Sequence, residues 1–195
     1  RKPDIVFLGM LQYDGDAKIP EKYLVNPPEI KNTLTEVLAA HRMKQYAVSE
    51  TQKYGHVTYF WNGNRSEMVS KDYEVYEEVP SDKVPFEQRP WMKAAEITDR
   101  LIAAIECGEY RFMRCNFANG DMVGHTGNLQ AIRIAVECVD LQIGRIAEVC
   151  KKTGTILLIA ADHGNADQMI DKNPDGMMSV RTAHSLNPVP CIVCV

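Results

Sequence analysis

No run of 18 or more apolar residues occurs in the 195-residue sequence, so it carries no candidate membrane-spanning helix. Basic residues are not in excess: 22 Lys and Arg stand against 26 Asp and Glu, a net charge of −4. Binders of nucleic acid or anionic membranes normally carry a basic patch, so neither partner is expected. A small anionic substrate stays open, because local charge decides that. Glycine and proline together number 22 (12 plus 10), too few for a low-complexity or fibrous chain. The sequence has no internal repeat, no block of like charge and no signal-peptide shape behind Arg1-Lys-Pro-Asp4.

Cysteine occurs six times, at 107, 115, 138, 150, 191 and 194, with irregular spacing. That pattern predicts reduced, mostly buried thiols in a cytoplasmic protein rather than a disulfide framework. Cys191 and Cys194 fall in an apolar strand, where their odd separation points them to opposite faces and suits neither chelation nor a disulfide. At roughly 100–200 residues per domain, the length gives one domain, or one domain plus a remnant of another.

The hydrophobic pattern alternates short strands with longer helices. Strands are expected at 4–10, 45–49, 74–79, 111–117, 155–160 and 191–195. The run at 155–160 is mostly apolar and rich in β-branched residues, which predicts burial on both faces. Helices are expected from Leu34 to His41, capped by Asn32 or Thr33, then over 51–60, 91–107 and 129–151, with Gly108 and Gly154 as stops. The stretch from Pro20 to Pro28 reads as a linker after the polar Tyr13-Asp-Gly-Asp16. Strands alternating with helices predict an α/β fold with a mostly parallel sheet flanked by helices.

Ligands of such sheets bind beyond the carboxyl ends of the strands. Asn119-Gly-Asp-Met-Val-Gly-His-Thr-Gly127 follows one strand, and Ala161-Asp-His-Gly-Asn165 follows another. Thr182-Ala-His-Ser185 precedes the last strand. Asp121 and His125 are four apart, so a helical turn would set both on one face. Gly120, Gly124 and Gly127 would let backbone and ligand approach closely. Asp162 and His163 are adjacent at a strand-to-loop corner, and His184 completes five oxygen and nitrogen ligands. That donor set suits manganese, zinc, cobalt or iron, not a thiolate cluster. Two ions about 3.5–4 Å apart would use five ligands, and such pairs clamp a transferring phosphoryl group. His41 and His56 fall in expected helices and read as structural.

These segments, together with Glu50-Thr-Gln-Lys-Tyr-Gly-His-Val-Thr-Tyr-Phe-Trp-Asn-Gly-Asn64, resemble the cofactor-independent phosphoglycerate mutases of the alkaline-phosphatase-like superfamily. The resemblance runs over essentially the whole chain. It implies interconversion of 3-phosphoglycerate and 2-phosphoglycerate through a phosphoserine, as a cytoplasmic step of glycolysis by a monomeric enzyme. Asp121, His125 and His184 would hold one divalent ion, usually manganese, with magnesium, cobalt or zinc as alternatives. Asp162 and His163 would hold a second ion, and Lys53 would contact the phosphoryl group, offsetting charge on its oxygens.

The chain departs from the family in what it lacks. The family takes a further aspartate and the nucleophilic serine from an N-terminal segment, and its inserted domain supplies arginines that bind substrate. None of the six serines (49, 66, 70, 81, 179, 185) sits in the nucleophile's context. Residues 1–27 therefore resemble the end of the inserted phosphotransferase domain and its linker. Residues 28–195 resemble the C-terminal segment of the metal-binding phosphatase domain, in an incomplete sheet and cut again after Val195. The missing N-terminal segment of the same enzyme is the expected partner, with little activity expected from this chain alone. A metal-dependent phosphomonoesterase using bound water, and a non-catalytic assembly module, are the competing readings.

Overall fold

A computed structural model describes residues 5–12, 19–26, 30–65, 67–181 and 183–195. The polar stretch 13–16, Pro27, Pro28, Ser66 and Thr182 lie outside the described residues. No helix among those described is long and apolar enough to cross a membrane.

The chain opens with β1 (Gly9–Leu11) and β2 (Tyr23–Val25), paired in parallel. The strand expected over 4–10 is thus short, and β2 lies where a linker was expected. Both strands leave apolar side chains such as Met10 and Leu24 in solvent. α1 (Leu34–Ala40) follows, and Thr33 is its cap. The Glu36 amide donates to Thr33 Oγ1 at 3.3 Å, and the Thr33 amide donates to Glu36 Oε2 at 2.7 Å. This reciprocal pair satisfies two donors that a helix start otherwise leaves open.

β3 (Gln45–Glu50) is the centre of the main sheet, between β4 (Glu74–Val79) and β5 (Phe112–Asn116), both parallel to it. All six residues of β3 are buried although half of them are polar. Their side chains are satisfied locally: Gln45 donates to the Thr35 carbonyl at 3.2 Å, Ser49 donates to the Asn116 carbonyl at 3.0 Å, and Tyr46 donates to Glu77. The expected helix over 51–60 is α2 (Thr51–Gly55) continued by a π-helix, His56–Phe60. Arg114 of β5 reaches into the π-helix and donates to the Val57 carbonyl at 2.8 Å.

α3 (Ala94–Glu106) and α5 (Leu129–Thr153) pack on the sheet as their apolar periodicity predicts. Tyr46, Val48, Ile97, Leu101, Ile146 and Cys150 share one core cluster. Full burial of an isoleucine such as Ile97 contributes about 2–3 kcal/mol. Asn128 caps α5 by accepting from the Gln130 and Ala131 amides, each at 3.0 Å, and left-handed Gly154 ends it. A second cluster packs α4 (Asn119–Gly124) against the start of α5 through Ala118, Val123 and Ala131.

The rest of the chain departs from a purely parallel reading. β6 (Leu157–Ala160) pairs antiparallel with β9 (Cys191–Cys194). β7 (Ile170–Lys172) and β8 (Met178–Val180) form an antiparallel hairpin that hydropathy alone did not predict. β6 is not buried on both faces; its residues alternate between half-buried and exposed. Among the described residues β6 pairs with β9 alone, so it lacks the two-sided cover of a central parallel strand. The thiols differ from expectation too: only Cys150 is buried, Cys115 and Cys138 are half-buried, and Cys107, Cys191 and Cys194 are exposed.

Candidate metal centre

Three strands of the sheets end at one rim, as the carboxyl-end rule requires. β3 runs directly into α2, which carries Lys53. β5 is followed by α4, which carries Asp121 in its first turn and His125 at its end. β6 leads into Asp162 and His163. Buried Asn119 fixes the start of α4 by donating to the Pro90 carbonyl at 2.9 Å. The turn at Asp121 is helical, so Asp121 and His125 do face one another.

Asp121 is the hub. Its Oδ1 lies 3.0 Å from His125 Nε2 and 3.1 Å from His184 Nε2. Its Oδ2 is ion-paired with Lys53, whose side chain is buried. Asn165 donates to Asp121 Oδ1 at 2.7 Å and to its backbone carbonyl at 3.3 Å. Burial pushes the Asp121 carboxyl up, but the hydrogen bonds from Lys53 and Asn165 more than offset it and hold the group down at about 2. Asp121 is therefore a carboxylate throughout the neutral range.

Among the described residues, Asp121, His125 and His184 form the cluster able to hold an ion, their ligand atoms all within 4.8 Å of one another. Ligand atoms each about 2.1 Å from one ion lie about 3.0–3.4 Å apart at right-angle to tetrahedral geometry, so the two spacings from Asp121 Oδ1 fit a shared ion. One carboxylate oxygen and two imidazole nitrogens leave coordination positions open, as catalytic metal sites do.

His163 and Asp162 sit beside this cluster. The His163 ring stacks on His184 at 3.5 Å and 8°, and its Nε2 lies 3.6 Å from Asp162 Oδ2. Its Nδ1 is buried with no hydrogen-bond partner. Asp162 is exposed. The five candidate ligands thus form a tight group of three with an adjoining pair.

The loop carrying His184 is tied down from two sides. Arg181 donates to both oxygens of Asp171, at 2.9 and 3.2 Å, and its Nε donates to the Ala183 carbonyl at 3.0 Å. The β7–β8 hairpin thereby braces the backbone before His184. The Ser185 amide donates to the Gly164 carbonyl at 2.9 Å, tethering the loop to the His163 segment. Ser185 Oγ donates to Asp167 Oδ2 at 2.7 Å, so the serine closest in sequence to the candidate ligands is already engaged in this scaffold.

Asn165 is a site residue that sequence reasoning did not single out; its only signal was its place in the Asp-His-Gly-Asn run. It needs Gly124, since a Cβ there would come within 2.9 Å of Asn165 Cγ. Gly127 has φ +68° and lies against Val180, where a Cβ would come within 2.5 Å. Gly120, expected as a close approach, faces open space. His41 is exposed at the end of α1, where its Nδ1 bonds the Val37 carbonyl at 2.8 Å. His56 is not packed away: it is exposed on the π-helix, against Phe60. Partial desolvation of the ring and the neighbouring Lys53 charge lower its pKa.

Residues 8–195 match the family model of the metalloenzyme superfamily, and the chain belongs to that family. Relatives described as mutases match it over nearly its whole length. It is 48% identical over 196 residues to a Leptospira interrogans protein described as "Probable 2,3-bisphosphoglycerate-independent phosphoglycerate mutase", covering 96% of this chain and 36% of that protein. It is 44% identical to the 2,3-bisphosphoglycerate-independent phosphoglycerate mutase of Trypanosoma brucei brucei, covering 99% of this chain and 36% of the relative. A crystal structure of Leishmania mexicana phosphoglycerate mutase at low cobalt concentration superposes with a TM-score of 0.92 at 41% identity, over 100% of this chain and 37% of the other. The chain thus spans about a third of the length of the relatives it matches.

Proposed function

We propose that this chain is the metal-holding portion of a cofactor-independent phosphoglycerate mutase that interconverts 3-phosphoglycerate and 2-phosphoglycerate in the cytoplasm. The observation that carries this is the three-ligand cluster at the rim of a metalloenzyme sheet, in a chain 44% identical to a named mutase. Asp121, His125 and His184 would hold one divalent ion, manganese by preference, and Asp162 with His163 would contribute to a second. The buried, unpartnered Nδ1 of His163 supports a ligand role for that ring. Bound there, such ions would stabilise the charge on a transferring phosphoryl group.

The chain's own residues do the positioning. Asn165 orients Asp121 through its bonds to Oδ1 and the backbone carbonyl. Lys53 keeps a buried positive charge beside that carboxylate, suited to an anionic phosphoryl group. The nucleophilic serine and the substrate-binding arginines would come from the portion of the polypeptide that this chain does not span. Residues 1–27 read as the edge of the inserted domain, and the separate β1–β2 pair with its exposed apolar side chains supports that division.

The test is mutase turnover of 3-phosphoglycerate with manganese and no bisphosphoglycerate. We expect none from this chain alone, with manganese still bound. Turnover by the chain alone would overturn the assignment of the nucleophile elsewhere. Release of phosphate from a generic phosphate ester, with no mutase activity, would favour the phosphomonoesterase reading.

A further inference from the structure

His184 reaches the candidate metal centre from 63 residues beyond Asp121. The segment that carries it has little apolar anchorage. Ala183, His184 and Asn187 are exposed, and Leu186 is 99% exposed. Among the described residues of 181–190, only Ser185 is buried. Burial of apolar surface therefore does not set the position of the His184 ring, and polar contacts must. Upstream, Arg181 braces the approach, its Nη2 donating to the His184 carbonyl at 3.4 Å. Downstream, the contacts converge on one carboxylate outside the ligand cluster, that of Asp167.

Asp167 Oδ2 accepts from Ser185 Oγ at 2.7 Å and from Asn187 Nδ2 at 2.5 Å. The Asn187 and Ser185 bonds hold the carboxyl below its ordinary value, so it accepts as a charged group at neutral pH. An exposed aspartate is ordinarily solvated, yet this one ties down the residue next to His184 and another two further on. Asp167 also follows His163 by four residues and Asn165 by two. One short segment thus carries the ring stacked on His184, the amide bonded to Asp121, and the carboxylate that holds the His184 loop. Gly164 lets the two segments close on each other. Its carbonyl accepts from the Ser185 amide at 2.9 Å. A Cβ there would overlap Ser185 Oγ and lie 2.8 Å from Asp167 Oδ1.

We propose that Asp167 is a positioning residue of the candidate metal centre: it latches the Ser185–Asn187 segment onto the His163 segment and so fixes the His184 ring in register with His163 and Asp121. Partners beyond the ligands themselves raise metal affinity by holding ligands where the ion needs them. The latch is a contact of the metal-free chain. Its consequence for manganese rests on the mutase reading above.

The experiment compares the full chain with Asp167→Ala, Ser185→Ala and the double variant, first in EDTA by nuclear magnetic resonance of histidine-labelled protein. The His163 and His184 rings stack at 3.5 Å and 8°, so their protons give a through-space signal in the parent chain. Expected is loss of that signal in Asp167→Ala and weakening in Ser185→Ala, which keeps the Asn187 bond. Manganese calorimetry then reads the consequence. Binding at the tight site should weaken about tenfold or more in Asp167→Ala and by less in Ser185→Ala. The double variant should bind no more weakly than Asp167→Ala, because both substitutions break the same bond. A ring signal that persists in Asp167→Ala overturns the proposal, as does a double variant in which the two losses multiply. An aspartate that served stability alone would lower the urea midpoint without separating the rings. A signal lost as expected, in a parent chain that binds no manganese, upholds the latch and overturns the metal reading instead.

Discussion

β3 and β6 end at the same rim under opposite conditions. β3 is half polar, yet every residue is buried, because it has a parallel neighbour on each edge and partners for its polar side chains. β6 is wholly apolar, yet Leu158 is 62% exposed, and among the described residues it pairs with β9 alone. Burial in this molecule follows strand pairing more than hydropathy. The candidate metal centre straddles the divide. Asp121 and Lys53 come from the densely packed side and pair with each other, while Asn165, from the segment after β6, reaches across to Asp121. Asp162 comes from the open side and has a side chain 55% exposed.

The sharpest break of this contrast is at the site itself. Asp121→Ala removes the hub ligand and leaves Lys53 buried without its carboxylate. Manganese affinity should fall about 100-fold or more by calorimetry, beyond the usual effect of losing an outer-shell partner. Urea denaturation should show a loss of about 3 kcal/mol, as for breaking a buried ion pair. Asp162→Ala, on the open side, should change stability by less than about 0.5 kcal/mol.

Core truncations come next. Ile97→Ala, at a position with no exposure, should cost about 2–5 kcal/mol in urea melts, whereas Leu158→Ala should cost less than about 0.5 kcal/mol. Equal costs would erase the distinction between the two sides. Gly124→Ala should cost about 1–3 kcal/mol, because the new methyl displaces Asn165 from Asp121. It should also weaken manganese binding, a loss that a purely packing effect would not produce.

The smallest effect is a pH slope from Glu50, at the end of β3. Burial raises its pKa above the ordinary 4.5, with Ser81 Oγ at 2.8 Å and the Lys93 amide at 3.1 Å only partly opposing. A raised carboxyl in the folded state binds its proton more tightly than in the unfolded chain. Its contribution is therefore full below 4.5 and is lost as pH rises through the raised value. Glu50→Gln should flatten that part of the urea midpoint's fall between acid and neutral pH. An unchanged slope in the variant would assign the fall to other groups.

Much of this was legible in the sequence, and the exceptions have physical causes. The stripes of α3 and α5 were readable because a helix packed on a sheet must repeat its apolar face. The caps at Thr33, Asn128 and Gly154 use side-chain or glycine chemistry that is local, although only Thr33 and Gly154 were anticipated. The meeting of Asp121 and His125 was legible because the two need only one helical turn to come together. His184 depended on a distant brace, Arg181 on Asp171, that spacing does not reveal. The β7–β8 hairpin had a signal in Pro174-Asp175-Gly176 that went unused. The π-helix after α2 had none, since an extra residue per turn leaves little trace in hydropathy. The antiparallel β6–β9 pair and the exposure of β6 depend on which strands are neighbours, which lies outside any local window.

The most direct test of the central claim is a calorimetric titration of this chain with manganese at neutral pH, alongside His125→Ala and His184→Ala. The account predicts one ion bound tightly per chain, with a second much weaker, and the tight site lost in both variants. Two ions of equal affinity, or a tight site that survives both substitutions, would contradict it.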